Sequence, residues 1–343
     1  MPDLSIRKKG PVGHITLTRP KSLNALSHDM VLKIEAALKD WFEDDTIKCV
    51  MIDAENETAF CAGGDIVELY NQGMNQDYYS GQKYWRDEYR LNALMSRYPK
   101  PIIAFMNGIV MGGGVGISAH CSHRIVTEKT KIALPECGIG LVPDVGTTSL
   151  LTHAPGYLGE YLGLTGYRMN GADAIYCGFA DWFAPSDTLA EIKKTLCESG
   201  EFADIERYFK KSSKSELSSI QSDISKVFSR GRLEDVMSDL AQSQADWAAD
   251  AREKIERGSP LSCQVTFELI RQARDEPGIE EALKREFCFV SRAMKCGDFL
   301  EGVRAAVIDK DRNPQWRHAS INDVTLTQIH SMLRTPEGGS LKL

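Results

Sequence analysis

Short strand-like segments alternate with amphipathic helical segments along the first two hundred residues, and this alternation restricts the fold most. Residues 13–18 alternate like a strand, 49–52 and 102–105 are short apolar runs, and 131–134 resembles a further short strand. Between the first two, Ser27 is placed to cap a helix. The apolar face of that helix would carry Met30, Val31, Ile34, Leu38 and Trp41. Strands that alternate with helices predict an α/β fold with right-handed crossovers.

The alternation stops near Glu201, after which only helical patterns follow. We therefore expect a core at residues 1–200 and a helical C-terminal region at 201–343. Within the second region, residues 210–258 are rich in Ser, Asp, Glu and Lys, which predicts a polar segment with little core-forming material. Helices are expected to restart at Ser259 and Pro260 and to continue to about Ala306.

The composition excludes several functional classes. A formal net charge of -7 with mixed acids and bases disfavours a nucleic-acid partner. No apolar run approaches the ~20 residues of a membrane helix, and residues 1–7 show no export or transit signal. The nine cysteines include no Cys-x-x-Cys pair, which indicates reduced, mostly buried thiols. These patterns predict a cytoplasmic protein without a membrane partner.

Two carboxylates, Glu136 and Asp144, are the strongest candidates for catalysis. They are eight positions apart, and glycine and apolar residues surround both, so neither resembles a routine surface charge. Acids held by a Gly/Pro-shaped loop can perform acid–base or nucleophilic chemistry on a carbonyl group.

Two glycine-rich stretches could supply backbone donors for such chemistry. Residues 112–116 are Gly-Gly-Gly-Val-Gly and follow a strand, where they are expected to open a helix through Ile117 and Ala119. Dinucleotide and Walker-type fingerprints are not matched. Glycines here serve either close helix–strand packing or an oxyanion-binding N–H at Gly113, with a second donor at Gly64.

Three other features have a functional and an ordinary interpretation. Glu88 lies between Arg86 and Arg90, which is typical of a solvated salt bridge. His120 and His123 are three positions apart, but no third ligand is close in sequence, so no metal site is predicted. Cys61 is interpreted as a buried small thiol, because no histidine base accompanies it.

The chain resembles the crotonase (enoyl-CoA hydratase/isomerase) superfamily. The resemblance rests on RPKSLNAL at 19–26, AFCAGGDI at 59–66 and NGIVMGGG at 107–114. It implies a spiral of ββα turns that binds acyl-CoA thioesters, with the thioester oxygen between the N–H groups of Gly64 and Gly113. It also implies that two loops cradle the adenine of CoA. The residues at those places are Asn24, Ala25, Leu26, Ala62, Asp65 and Ile66.

Departures from the hydratase pattern indicate a branch of the superfamily. Hydratases carry two catalytic glutamates, of which one matches Glu136 and the other would fall at Gly116. Asp144 stands where hydratases usually have glycine. PECGIGLVPDVG at 135–146, MGGGVGIS at 111–118, RDEY at 86–89, GDFLEGVRA at 297–305 and DKD at 309–311 resemble 3-hydroxyisobutyryl-CoA hydrolases. The match runs from about residue 5 to about residue 332 and is weakest across 210–258.

This resemblance implies hydrolysis of 3-hydroxyisobutyryl-CoA to 3-hydroxyisobutyrate and CoA, as in valine degradation. No cofactor is expected, because CoA is part of the substrate, and Glu88 would line the acyl pocket. Glu136 would be either a nucleophile or a base that activates water. Asp144 would orient the substrate hydroxyl, the water or Glu136, unless it merely caps a helix that starts near Val145.

Two other functions stay open: an enoyl-CoA hydratase or isomerase, and a catalytically silent acyl-CoA-binding protein. A homo-oligomer is also open, because crotonase relatives trimerise through C-terminal helices that differ here.

Overall fold

The computed structural model describes residues 3–343. The strands of this range, β1 to β9, are Leu4–Lys9, Val12–Leu17, Cys49–Ala54, Ala59–Cys61, Ile102–Met106, Ile109–Met111, His123–Val126, Lys131–Ala133 and Trp182–Phe183. Its α-helices, α1 to α15, are His28–Phe42, Ile66–Met74, Tyr78–Ser96, Gly113–Gly116, Thr147–His153, Leu158–Thr165, Gly171–Tyr176, Leu189–Ser199, Leu217–Phe228, Leu233–Gln242, Asp246–Arg257, Pro260–Asp275, Ile279–Cys296, Phe299–Val303 and Leu326–Leu333. Short 3-10 helices cover Pro20–Ser22, Glu136–Ile139, Ser186–Thr188, Phe202–Tyr208 and Ile321–Asp323, and a π-helical turn covers Arg304–Ile308.

The chain forms two compact units, each built from three segments. The first unit contains the residues up to Asp65, Arg90–Ile132 and Arg168–Ser218. The second unit contains Ile66–Tyr89, Ala133–Tyr167 and Ser219–Leu343. The segments of the two units alternate along the chain. The division into a core at 1–200 and a helical region at 201–343 stays a prediction.

The first unit contains a six-stranded sheet in the order β1-β2-β3-β5-β7-β9. β1 and β2 are antiparallel, and the remaining neighbours are parallel, with Val12 opposite Cys49 and Val50 opposite Ile102. The strands of such a sheet are buried on both faces, which explains why 49–52 and 102–105 read as continuous apolar runs. The predicted α/β fold is confirmed.

Helix α1 forms as its sequence predicts. The Ser27 hydroxyl accepts a hydrogen bond from the Met30 N–H at 3.3 Å and so caps the helix. The predicted apolar face is buried, with Met30, Val31, Ile34, Leu38 and Trp41 at most 4% exposed.

A second, three-stranded sheet joins β4, β6 and β8. β4 and β6 are parallel, so the loop after Cys61 and the loop after Met111 leave the same edge of this sheet. The helix predicted to run from Gly112 through Ala119 is only one turn long, Gly113–Gly116. Glycine loses much backbone freedom in a helix, and the Ser118 hydroxyl donates back to the Gly114 carbonyl at 2.6 Å, so the helix does not continue.

The second unit is helical, and here the expectation of little core-forming material in 210–258 is wrong. Helices α9, α10 and α11 are amphipathic, and each buries an apolar stripe beneath a charged outer face. The buried residues include Ile224, Phe228, Val236, Leu240 and Ile255, all at most 1% exposed. A low average hydropathy therefore concealed a regular apolar face. Among the described residues, no helix is long and apolar enough to cross a membrane.

Candidate active site

Four buried carboxyl groups of the second unit lie close enough together to influence one another's pKa, and each is at most 5% exposed. Glu88 lies on α3, Glu136 begins a 3-10 helix, Asp144 precedes α5, and Glu286 lies on α13. Three of them were predicted from the sequence, and Glu286 was not. We call these four residues the carboxyl cluster.

Glu136 is held by a tight local turn. The Leu141 N–H donates to the Glu136 carbonyl at 3.0 Å, and Gly140 closes the turn with φ 71°. A Cβ atom at Gly140 would lie 2.4 Å from the carbonyl carbon of Asp298, so only glycine fits there. The Glu136 Oε2 atom is buried and has no hydrogen-bond partner. No other protein group therefore bonds to this oxygen.

Asp144 is fixed by Tyr89, which belongs to the RDEY block at 86–89 but was assigned no role from the sequence. The Tyr89 hydroxyl donates to Asp144 Oδ2 at 2.7 Å, and both groups are buried. The residue that caps α5 is Gly146, and no side chain caps that helix end. The interpretation of Asp144 as a mere helix cap is therefore wrong, because its carboxyl group accepts from Tyr89 instead.

The backbone after Asp144 is strained. Val145 has φ 54° and Gly146 has φ 80°, so two successive residues occupy the left-handed region. A β-branched residue there is an outlier, and such conformations persist only where the surroundings enforce them. Strained turns of this kind concentrate at functional sites.

Burial raises the pKa of every group in the carboxyl cluster, and the charge of Asp144 raises the pKa values of the other three further. Burial, and then the charge of Asp144, hold the pKa values of Glu88 and Glu136 well above their usual range. Burial raises the pKa of Asp144 to about 7, although the Tyr89 hydrogen bond opposes this. Burial likewise raises the pKa of Glu286 to about 7, against hydrogen bonds from Thr148 and Gly146. Acids with pKa values near neutrality are suited to proton transfer.

Glu88 is not the solvated salt-bridge residue that its neighbours suggested. It is 2% exposed, and the Tyr84 hydroxyl contacts its Oε1 atom at 3.3 Å. Arg90 instead binds Glu35 through two contacts of 2.7 Å, and the Arg86 guanidinium lies 4.7 Å from the centre of the Phe287 ring. The pocket role of Glu88 stays a prediction.

The predicted oxyanion donors lie in the first unit. Gly64 bridges to Leu26, and a Cβ atom built on Gly63 would lie 4.0 Å from the Gly113 nitrogen. The two glycine loops are therefore neighbours. A Cβ at Gly114 would lie 2.3 Å from the Cys61 carbonyl oxygen, so this glycine serves close packing. The donor role of Gly64 and Gly113 stays a prediction.

Arg19 joins the two loops that the family resemblance assigns to CoA. Its guanidinium donates to the Ala25 carbonyl at 2.7 Å and to Asp65 at 3.0 Å. Asn24 is fully buried, and its amide bonds to the Arg19 N–H and the Ala59 carbonyl. Asn24 therefore shapes the loop, and the CoA contacts of this loop and of Ala62, Asp65 and Ile66 stay predictions.

No group of side chains suited to a metal ion occurs among residues 3–343. The His123 ring instead stacks on Phe202 with 3.7 Å between ring centres. All nine cysteines carry thiols, and Cys61 is buried, as predicted.

One signal in the sequence could have revealed Glu286. It falls on the apolar face of α13, in helical register with Ala282, Leu283, Phe287 and Val290, where a carboxylate is out of place. Tyr89 appeared only as part of the RDEY block at 86–89, and its residue type alone gave no role, because a tyrosine on a buried helical face is ordinary.

Replacing Asp144 with asparagine is expected to flatten the dependence of stability on pH. An acid whose pKa rises on folding binds more protons in the folded state, so stability falls as pH increases from about 4 to about 7. Asparagine keeps an acceptor for Tyr89 but cannot titrate. The loss of stability across this window should shrink by on the order of a few kcal/mol. Thermal unfolding of both proteins at pH 4.5 and pH 8 measures it, and equal losses would contradict the raised pKa.

Comparisons with known proteins show which proteins the chain is similar to. Residues 12–333 match the family model described as enoyl-CoA hydratase/isomerase. The chain is 36% identical to a "Probable 3-hydroxyisobutyryl-CoA hydrolase 3" from Arabidopsis thaliana, covering 97% of this chain and 91% of the relative. It is 34% identical to a "3-hydroxyisobutyryl-CoA hydrolase, mitochondrial" from Gallus gallus, covering 99% and 91%.

A solved structure is also similar over the whole chain. It is described as an enoyl-CoA hydratase from Rhodobacter sphaeroides, is 43% identical, covers 100% of both chains and has a TM-score of 0.96. The predicted crotonase-like core is thereby confirmed.

The cytoplasmic expectation is contradicted by the relatives, since several from animals are named mitochondrial. Cysteines without disulfides indicate a reducing rather than an oxidising compartment, but they do not show which reducing compartment it is. The matched family model, the similarity to curated relatives and the shared fold lead to one conclusion. The chain belongs to the crotonase (enoyl-CoA hydratase/isomerase) family.

Proposed function

We propose that the chain hydrolyses the thioester of 3-hydroxyisobutyryl-CoA and releases 3-hydroxyisobutyrate and CoA, a step of valine degradation. The observation that carries this proposal is the pairing of Glu136 with Asp144 in one buried carboxyl cluster, where Asp144 is bound by Tyr89. Curated relatives named 3-hydroxyisobutyryl-CoA hydrolase, similar over nearly the whole chain, support the same substrate.

Glu136 is the group that acts on the thioester. Its raised pKa makes the ionised form a strong base and a strong nucleophile, and its buried Oε2 atom has no competing partner. In one route it takes a proton from water, whose oxygen attacks the carbonyl carbon and forms a tetrahedral intermediate. The C–S bond then breaks, and the proton passes to the CoA thiolate. In the other route it attacks the carbon itself, and the C–S bond breaks to release the CoA thiolate, which takes a proton from water. Water then hydrolyses the mixed anhydride and restores the Glu136 carboxyl group.

Asp144 orients a partner of the reaction. Its Oδ2 atom accepts from Tyr89, which fixes the plane of the carboxyl group. A carboxyl group fixed in this way can accept the hydroxyl of a 3-hydroxyacyl chain, or it can orient the water or Glu136. Glu88, buried in the same cluster, lines the acyl end of the pocket in this proposal.

The oxyanion of the tetrahedral intermediate is assigned to the backbone N–H groups of Gly64 and Gly113, by the family resemblance. Losing one such donor costs on the order of a hundredfold in rate. CoA is assigned to the loops that contain Ala25 and Ala62, and no separate cofactor is invoked.

A hydratase is the second candidate, because a similar solved structure is named an enoyl-CoA hydratase. The residue at the place of the second hydratase glutamate is Gly116, which is buried and has no side chain. Efficient hydration would then need Asp144 or Glu88 to replace that acid.

One assay separates these functions. The purified chain is mixed with 3-hydroxyisobutyryl-CoA, and thiol release is followed with a thiol reagent. We expect this substrate to release thiol at a rate that approaches a maximum as its concentration is increased. A hydratase would change the absorbance of an enoyl-CoA without releasing thiol, and a silent binder would do neither. Either of these outcomes would overturn the proposal.

A further inference from the structure

Glu286 is a buried carboxyl group with no role in the chemistry described above. It is 0% exposed and lies in the middle of α13. Both of its oxygens are occupied by the turn that follows Asp144. Oε2 accepts from the Gly146 N–H at 2.7 Å, and Oε1 accepts from the Thr148 N–H at 3.0 Å and from the Thr148 hydroxyl at 2.6 Å.

The turn needs such a partner for two reasons. Val145 and Gly146 are both in the left-handed region, and for a β-branched residue this costs energy that other contacts must offset. In addition, the first N–H groups of α5 have no acceptor within their own helix. Glu286 supplies an acceptor to one of them, Thr148, and another to the N-cap residue Gly146, whereas no side chain of the turn caps the helix.

The next residue of α13, Phe287, contacts the tyrosine that binds Asp144. The Phe287 ring packs edge-on against Tyr89, with 6.2 Å between ring centres, and Tyr89 donates to the Asp144 carboxyl group. Adjacent residues of one helix thus contact the turn that follows Asp144 and the tyrosine that binds its carboxyl group. The arrangement has the form of a rigid support for a catalytic group.

We infer that Glu286 is a positioning residue, which locks the strained turn at Val145 and Gly146 and thereby sets the position of the Asp144 carboxyl group. This inference rests on the proposed hydrolase function. It assigns Glu286 no contact with substrate. A displacement of about 1 Å in a catalytic group can cost on the order of a hundredfold in rate, so losing this support should be visible in turnover.

The test is Glu286→Gln, measured as thiol release from 3-hydroxyisobutyryl-CoA. Glutamine has one acceptor oxygen in place of two, so it cannot satisfy both Gly146 and Thr148. We expect kcat to fall roughly 10- to 100-fold, with KM changed by less than about threefold, because the groups that bind CoA lie elsewhere. A folded variant with kcat within about threefold of the parent would overturn the inference.

Glu160→Gln is a matched control. Glu160 is also 0% exposed, lies in the second unit and pairs with Arg274 at 2.7 Å. Its replacement should lower the thermal midpoint while kcat stays near that of the parent. An equal loss of kcat in both variants would show that general destabilisation, and not positioning, is responsible.

Combining Glu286→Gln with Asp144→Asn tests whether Glu286 acts through Asp144. If it does, adding Glu286→Gln to Asp144→Asn should lower kcat by less than about threefold, well short of its effect in the parent. Equal losses in both backgrounds would assign Glu286 an independent role and overturn the inference.

Thr148 provides a second probe should Glu286→Gln fail to fold. Thr148→Val removes one bond to Glu286 and keeps the shape, whereas Thr148→Ser keeps the hydroxyl. We expect the valine variant to lose several-fold in kcat and the serine variant to retain it. Equal activity of both would overturn the inference. If the parent itself releases no thiol, the proposed function fails, and that failure is seen before any variant is compared.

Discussion

Glu136→Gln should reduce kcat for thiol release by at least roughly a thousandfold, because the amide can neither accept a proton at neutral pH nor attack a carbonyl carbon. The substitution keeps the shape of the side chain. It also removes the carboxyl group whose pKa is held well above its usual range by burial and by Asp144. Steady-state thiol release and calorimetric titration with CoA measure turnover and binding separately.

Two control measurements accompany this prediction. CoA affinity should change by less than about threefold, since the loops assigned to CoA contain Ala25 and Ala62 and not Glu136. Glu160→Gln, an equally buried exchange of the same type, should keep its turnover. Hydrolysis by the Glu136 variant within tenfold of the parent would remove Glu136 from the mechanism.

Asp144→Gly should slow hydrolysis of 3-hydroxyisobutyryl-CoA by at least roughly a hundredfold, the usual scale for losing a positioned acid–base or orienting group. The variant restores the residue that hydratases usually have here. It also leaves the buried Tyr89 hydroxyl without its acceptor, so part of the loss would be structural. Asp144→Asn retains an acceptor for Tyr89 and separates the two contributions.

A second substrate identifies what Asp144 holds. Isobutyryl-CoA lacks the hydroxyl, so if Asp144 binds that hydroxyl, the variants should lose much less rate on isobutyryl-CoA than on the hydroxylated substrate. If Asp144 serves the water or Glu136, both substrates should lose rate equally. An Asp144→Ser enzyme with full activity would show that the carboxyl group is dispensable.

Local rules predicted much of the fold from the sequence. The Ser27 cap, the apolar face of α1 and the buried parallel strands each follow from a pattern of a few residues. Residues 210–258 were misread, because mean polarity conceals an apolar stripe that repeats every three or four positions. The helix predicted to run from Gly112 to Ala119 is shorter than expected. Sequence spacing does not show where a hydroxyl group competes for a helix carbonyl, as that of Ser118 does.

The candidate site was predictable only in part. Glu136 and Asp144 stand out because acids seldom occur among glycine and apolar residues. Tyr89 and Glu286 reach this loop from 55 and 140 positions away in the chain, and no local pattern specifies such a contact. Their roles depend on tertiary packing, which joins helices distant in sequence.

The interleaved order of the two units has a consequence for synthesis on the ribosome. The first unit is complete once Ser218 has been made, whereas the second needs the rest of the chain. At ~5–20 residues per second, that interval is on the order of ten seconds. Until residue 286 is added, about halfway through that interval, Glu136 and Asp144 exist without Glu286 to hold their loop. The nascent chain therefore carries exposed apolar helices and an unformed acid loop, and this is the stage at which chaperones would act on it.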